Sequence, residues 1–415
     1  MALQTLSEFI DAARAKSLDN VEARKIAEQR EAEAGQAWGR ILPAFTARGS
    51  YTRNQYPTEI TLPAGPGVAP STVTIVPTNQ FDAVLTLDVP LVDLGAWSRI
   101  GAATAVADAA RARSLATAQD VERAVTQRYY QVVASESLIA ATNRALAAAE
   151  ESAKVLELRR KVGFASEFEG DRAAAEVERS RQNVTDAELL RAVSRRALGS
   201  VSGLTPTAGA GPLSEDLREE APLDAWQKDG LSKLPLVRAA ELDRRAAEHS
   251  SSSAWRSLAP VIAASASERF TNATGFSGND AVWTIALTAT LRLDAVTIQS
   301  IRAQEAAESV ARVRVDKTRL AASDRIHDAW QQVHAQIAKS RAARAQAKAA
   351  ANAARVARDS FAAGASNQLE VIQAERDAFG AEVARIQADA DLAYARTALR
   401  LAAGRATSSS SKGGQ

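Results

Sequence analysis

Gly163-Phe164-Ala165-Ser166-Glu167-Phe168-Glu169 and Gly364-Ala365-Ser366-Asn367-Gln368-Leu369-Glu370 decide the reading of this chain. Each is a short turn between two long runs of helix-forming residues, and the second echoes the first. Working outward, Leu87 to Ala102, carrying Asp93 and Ile100, returns as Thr288 to Ala303, carrying Asp294 and Ile301, at the same offset as the turns. The segment between these matches therefore has no net change in length. Further out, Trp38-Gly39-Arg40-Ile41-Leu42-Pro43 returns as Trp255-Arg256-Ser257-Leu258-Ala259-Pro260. Surface loops tolerate insertions, whereas a helix whose two ends must both meet neighbours does not. Such a repeat points to a tube or bundle in which length is a functional dimension.

Composition agrees with extended helices. The 415 residues are Ala-rich, with 5% aromatic and 24% charged residues and a net charge of +2. Interleaved acidic and basic residues read as solvated helix faces and give no electrostatic case for nucleic acid. The chain has no cysteine, which excludes disulfides, thiolate metal sites and a lipid-anchored cysteine. No run approaches the roughly 18 apolar residues of a spanning helix. Met1-Ala2-Leu3-Gln4 lacks the basic and apolar regions of a secretory signal, leaving a cytoplasmic protein or a processed or trimmed chain.

The pattern predicts one unbroken helix from about Leu6 to Trp38, ended by Pro43, then a strand around Phe45–Thr52. The Pro/Gly-rich stretch Pro57–Pro77 reads as a long loop. In the next strand Phe81, Ala83, Leu85, Leu87, Val89 and Leu91 share one face, with Asp82, Thr86, Asp88 and Pro90 on the other. A helix from about Leu94 to Val162 would run roughly 100 Å, too long for a compact domain. After the Gly163 turn a helix returns to about Val201. The second half predicts a helix over Leu236–Leu258, strands over Val261–Phe270 and around Trp283–Leu291 with a loop at Thr271–Asp280, a helix over Val296–Ala363, and a return to Ala403. The expected organisation is a first repeat over 1–201, a connection over 202–235, a second repeat over 236–404 and a disordered tail over 405–415.

Strands of about ten residues span a bilayer when tilted, with apolar side chains toward lipid and hydroxyls toward a lumen. Four strands cannot close, and an open edge in hydrocarbon costs several kcal/mol per unsatisfied group. Three copies would supply twelve strands around a wide lumen. Trp38 and Trp255, just before strands, suit a membrane–water interface. On strands alone, a soluble sheet capping a coiled-coil stalk explains the pattern as well, with those tryptophans as core residues. A stalk cap, however, has no reason to copy the whole plan twice.

At this point the chain resembles the TolC-type outer-membrane efflux proteins over about Leu3–Gly404. The resemblance rests on Leu42-Pro43 and its looser copy Ala259-Pro260, on Val89-Pro90-Leu91-Val92-Asp93-Leu94-Gly95, and on Gly163/Ser166/Glu169 echoed by Gly364/Asn367/Glu370. It implies a mainly α fold with a small β-barrel portion: a homotrimer with a 12-stranded barrel in the outer membrane continuing into a periplasmic α-helical tunnel. Pro57–Pro77 and Thr271–Asp280 would face outward. The resemblance also implies an exit duct without cofactor or reaction, driven by an inner-membrane pump and met at its helical tip by a periplasmic adaptor. Drug efflux, metal export and protein secretion share such a duct, with specificity largely in the pump.

In the family an acidic residue six positions after the second turn glycine rings the constriction, and here that residue is Glu370. Three such carboxylates in a narrow aperture would favour cations and be plugged by polyvalent ones. The alternative is a solvated glutamate stabilised by its helix dipole. The chain departs from the pattern at Gln373, where some members have a second acid, and at Phe361, where a tyrosine is common. A ring hydroxyl bond to Glu169 therefore cannot form. Val162-Gly163-Phe164 and Ala363-Gly364-Ala365 match the adaptor-docking grooves, although either glycine also serves as a left-handed helix terminator.

His327 and His334, seven residues apart with Asp324 and Asp328 nearby, read as an exposed helix face without metal-ligand spacing. No P-loop, dinucleotide fingerprint or nucleophile motif is present, so no enzyme is expected. Two rivals remain: a soluble coiled-coil scaffold, which would lack barrel strands, and a periplasmic adaptor, which would place one hairpin inside a β-rich chain.

Overall fold

The computed structural model describes residues 3–63, 65, 67, 70–207, 209, 213, 216–230 and 233–405, without the Asp229 side chain. The serine-rich tail expected to be disordered lies outside these residues beyond Arg405. The elements are α1 (Leu6–Lys16), α2 (Leu18–Gly39), β1 (Ala44–Arg53), β2 (Thr58–Leu62), β3 (Ser71–Val76), β4 (Asn79–Val92), α3 (Leu94–Lys161), α4 (Glu167–Ser202), α5 (Leu223–Gly230), α6 (Pro235–Arg256), β5 (Val261–Thr271), β6 (Ala281–Thr290), α7 (Ala295–Ala362) and α8 (Gln368–Ala402). Helices predominate, and α3 and α7 are each 68 residues long. Among the described residues no helix is long and apolar enough to cross a membrane.

Two expectations are corrected. The first helix is broken at Ser17, whose ψ of 131° leaves the helical region. Asn20 bridges the break: its side-chain amide donates to Ala13 O at 3.0 Å, beside the Ser17 N–H that ends α1 on the same carbonyl at 2.9 Å. Pro57–Pro77 is not all loop, because Thr58–Leu62 and Ser71–Val76 pair as an antiparallel hairpin with a bulge at Thr58/Glu59. The β-branched run Thr72-Val73-Thr74-Ile75-Val76 supplies strand propensity that the flanking prolines and glycines obscured. A short helix, α5, also forms within the connection.

The chain divides into two units. One comprises Met1–Ile26, Ala110–Ala239 and Val315–Gln415. Here Phe9, Ile10 and Ala13 of α1 pack with Val121, Val125 and Val132 of α3 and Leu198 of α4. A second core joins Trp226 of α5 to Ile326, Val333 and Ile337 of α7 and to Leu392, Ala395 and Leu399 of α8. The 326–333–337 spacing keeps one stripe of α7 inward. Between the long helices a buried carboxylate, Asp389, accepts from Ser340 Oγ at 2.7 Å, Arg344 Nε at 3.0 Å and Arg385 Nη1 at 2.9 Å.

The other unit comprises Ala27–Ala109 and Ala240–Arg314 and holds a four-stranded antiparallel sheet in the order β1-β4-β5-β6. Register aligns Tyr51 with Phe81, Phe45 with Leu87, and Ala266 with Leu87 and Ile285. One face is therefore apolar and carries Phe45, Tyr51, Phe81, Leu85, Leu87, Trp283, Ile285 and Leu287. The other carries Thr46, Arg48, Ser50, Asp82, Thr86, Ser265, Ser267, Thr284 and Thr288. The apolar face is open: Trp283, Ile285 and Leu287 are 72, 71 and 71% exposed. Pro90 lies beyond the last β1 partner, at a register shift against β5, where its missing N–H costs little. Strand topology puts the two hairpin connections at one end of the sheet and the four helix connections at the other.

Two substitutions test this packing. Leu399→Ala, at a fully buried position, should cost about 3 kcal/mol, whereas Asp120→Ala in an exposed ion pair should change stability by less than about 0.5 kcal/mol. The readout is the denaturant midpoint of the helical circular dichroism signal. Asp389→Ala removes the buried acceptor shared by Ser340, Arg344 and Arg385, while Arg385 keeps its pair with Glu382, and should cost about 2 kcal/mol on the same measurement.

Candidate functional site at the hairpin turns

The α3–α4 turn is built by Gly163, whose φ of +80° is left-handed and favours glycine. Phe164 N–H bonds Arg159 O at 2.8 Å and Gly163 N–H bonds Arg160 O at 3.0 Å, closing the last turn of α3 in a Schellman motif. Ser166 then starts α4 with a capping box. Its Oγ accepts from Glu169 N–H at 3.2 Å, while Glu169 Oε2 accepts from Ser166 N–H at 2.8 Å and Ser166 Oγ at 2.9 Å. Those bonds, to the Ser166 backbone first, hold the Glu169 carboxyl below its usual range. Glu169 is thus committed to its own helix start. Val162 and Phe164 beside the glycine are 66 and 84% exposed.

The α7–α8 turn uses the same backbone device with different side chains. Gly364 has φ +78°, Ala365 N–H bonds Ser360 O at 2.8 Å, and Gly364 N–H bonds Phe361 O at 3.0 Å. Ala363 and Ala365, on either side, are exposed but small. Asn367 Oδ1 caps Glu370 N–H at 3.0 Å, and its amide donates to Glu370 Oε1 at 3.1 Å. Glu370 and Gln373 are exposed on one face of α8, and Asp377, seven residues beyond Glu370, continues that face. Asp377 was missed in the sequence, although its heptad spacing from Glu370 was the available signal.

The Arg159 guanidinium lies 4.2 Å from the Phe361 ring centroid, donating to Phe361 O at 2.9 Å and Ala362 O at 3.3 Å. The two hairpins are further tied by Gln368 Nε2 to Ser152 Oγ at 3.1 Å, and by Arg376 Nε to Glu176 Oε1 and Oε2 at 3.1 and 3.0 Å. Arg358 pairs with Glu375 at 3.4 Å; burial raises the Glu375 carboxyl above its usual range and the arginine partly opposes this. Around these ties α3, α4, α7 and α8 border an open groove of about 700 Å³ whose lining mixes alanines such as Ala145, Ala148 and Ala351 with charged groups such as Arg179, Arg358 and Glu382. Sequence spacing within one helix carried no signal for contacts such as Arg159–Phe361.

The remaining candidates lie elsewhere. Trp38 stacks edge-on against Trp97 with centroids 5.8 Å apart, and Trp255 Nε1 donates to Glu305 Oε1 at 3.0 Å; both tryptophans are about half exposed. His327 is exposed, but His334 corrects the reading of a wholly exposed face. It is half-buried against Trp330, 4.1 Å between centroids, with Glu219 at 3.5 Å from Nδ1.

The family model described as outer membrane efflux protein matches residues 9–204 and 227–405. No curated protein matches the sequence. Among solved structures, the Campylobacter jejuni CmeC outer membrane channel aligns with a TM-score of 0.81 at 18% identity, covering 97% of this chain and 86% of that one. A membrane protein from Pseudomonas aeruginosa aligns at 0.80 and 20% identity, covering 96% and 93%. The open state of the Neisseria gonorrhoeae MtrE outer membrane channel aligns at 0.77 and 20% identity, covering 97% and 90%. These identities speak for the fold, and the family match spans most of the chain. The chain belongs to the outer membrane efflux protein family, and it is an outer-membrane channel rather than an enzyme.

Proposed function

We infer that three copies of this chain close their sheets into one twelve-stranded barrel in the outer membrane, continued by a helical tunnel in the periplasm. The observation that carries this reading is the four-stranded sheet with one exposed apolar face and two unpaired edge strands, β1 and β6. In lipid that face is solvated, and the edges are satisfied only by pairing with further copies. The doubled sequence plan supports it, because two helical hairpins per copy, each built on a 68-residue helix, give every subunit the same reach along the tunnel twice. Trp38 and Trp255 serve as anchors at the membrane–water interface.

The channel is the exit duct of a tripartite assembly, fed by an inner-membrane pump through a periplasmic adaptor. The adaptor docks at Val162-Gly163-Phe164 and Ala363-Gly364-Ala365. The exposed turn residues and the close approach that glycine permits support this placement. Glu370 forms a ring of three carboxylates at the constriction, and Gln373 leaves the next position uncharged. Arg159 over Phe361 takes the place of a ring hydroxyl in holding the second hairpin, which frees Glu169 for its capping box.

The detergent-extracted protein should have the mass of three chains by light scattering; a monomer that stays in solution without detergent would overturn the barrel. In planar bilayers the purified trimer should prefer cations and be blocked by trivalent cations. Glu370→Ala should weaken that block by about tenfold and move the reversal potential toward anions. Unchanged selectivity would remove Glu370 from the lumen while leaving the channel intact.

A further inference from the structure

The wet face of the sheet carries an imbalance of charge. Arg48 on β1, Val84 on β4 and Arg269 on β5 stand in one row, since Val84 is the register partner of both arginines. The two arginines differ in their company. Arg269 is held by Asp82, with Nε and Nη2 at 2.9 and 2.6 Å from Oδ1. Arg48 is exposed and has no ion pair or hydrogen bond among the described residues.

The other acids of this face are distant. Within one copy Asp88 stands four residues further along β4 than Val84, about 14 Å away at 3.4 Å per residue, and Asp280 is three strands from β1, about 14 Å at 4.8 Å per strand; across the proposed seam the next copy's Asp280 lies beyond the hairpin end of β6, away from the middle of β1 where Arg48 stands. Both separations exceed the Debye length of about 8–10 Å at physiological salt. Glu268 points to the opposite, apolar face, where its register partners are Leu85 and Trp283. Asp82 is nearer, but its charge is already matched by Arg269. The immediate surroundings of Arg48 are Thr46, Ser50, Val84 and Thr86, which carry no charge.

We propose that Arg48 forms an electropositive collar in the barrel lumen, a specificity-determining residue that draws anionic groups of passing solutes (carboxylates, phosphates, sulfonates) to mid-barrel. The collar rests on the barrel reading above. A sheet face that is wet, lined by hydroxyls and holding one uncompensated guanidinium per subunit concentrates anions and depletes cations locally. Three such groups are set in the channel by symmetry. The neighbouring Asp82–Arg269 pair sets the collar's strength, because losing the carboxylate would add a second positive charge per subunit.

The absence of cysteine makes the local potential measurable. Thr86→Cys places a single thiol on the wet face, two residues along from the row of Arg48 and about 8 Å away. The full-length trimer in lipid vesicles is reacted separately with methanethiosulfonate ethylsulfonate, an anion, and the ethyltrimethylammonium reagent, a cation. Their rate ratio is normalised to a free thiol in solution. The collar predicts an anion-favouring ratio that falls with Arg48→Gln by about twofold at 0.1 M salt and about fourfold at 0.01 M, and that rises with Asp82→Asn. A ratio unmoved by Arg48→Gln at low salt overturns the collar. Leu85→Cys, on the apolar face, separates this from failure of the barrel. If Leu85→Cys and Thr86→Cys label equally fast, the sheet does not divide lipid from lumen, and the barrel falls together with the collar.

Discussion

Backbone hydrogen bonding at the sheet's edges is the constraint on which the rest depends. A strand of ten residues placed in hydrocarbon with one side unpaired leaves polar groups that neither lipid nor side chains satisfy. Each of β1 and β6 has one partner within the chain, while the face they share is apolar and open. Because the sheet has an even number of strands, all antiparallel, β1 of one copy runs opposite to β6 of the next. Copies can therefore join edge to edge without breaking the alternation. The same parity puts both hairpin connections at one end and all four helix connections at the other, so every helix leaves the proposed barrel on one side.

A second constraint falls on the long helices. Two 68-residue helices end in the same Schellman turn, with glycines at φ +80° and +78°, yet the residues around the turns differ. Backbone geometry is duplicated where the chain must reverse, and side chains diverge where they meet other groups. The first turn exposes Val162 and Phe164; the second exposes alanines and Glu370. Packing between the hairpins follows a corresponding division. Close apolar cores surround Leu198 and Leu399, while nearer the turns the helices border an open groove of alanines and charged residues crossed by Arg376–Glu176.

What the sequence made legible was whatever repeats with a period. Alternation over Phe81–Leu91 located β4 and its two faces, and unbroken helix-forming runs placed the ends of α3 and α7 within a residue or two. Features decided by competition between neighbours were harder to read. Ser17 leaves the helical region where Asn20 and the Ser17 N–H share the Ala13 carbonyl, and β2–β3 pair although the stretch from Pro57 to Pro77 holds five prolines. Contacts between remote segments were invisible, since Arg159 and Phe361 are 202 residues apart. His334 was misjudged for the same reason: Glu219 and Trp330 close over it from another segment and from its own helix. At the candidate site, the turn glycines and Glu370 were readable as chemistry, whereas the ties that hold the turns were not.

Those ties bear on how firmly the second hairpin is held. Arg159 sits in the last turn of α3, where a cation favours its own helix terminus, and its Nη2 reaches the last carbonyls of α7. One guanidinium thus neutralises two helix C-termini and covers the Phe361 ring. Each helix-end interaction of this kind contributes about 0.3–1 kcal/mol when solvent reaches it. A cation over a partly wet ring adds about 0.5–1 kcal/mol. A hold of that size is easily outweighed by a docking interface, which gains several kcal/mol from a few buried side chains. A partner seated on Phe164 and Val162 would touch the same turn that Arg159 terminates, and displacing its side chain would release both carbonyls of α7 together. On the proposed reading, the absence of a phenol at Phe361 therefore gives a gate whose bond to the first hairpin is electrostatic and shared, and open to disruption from the docking side.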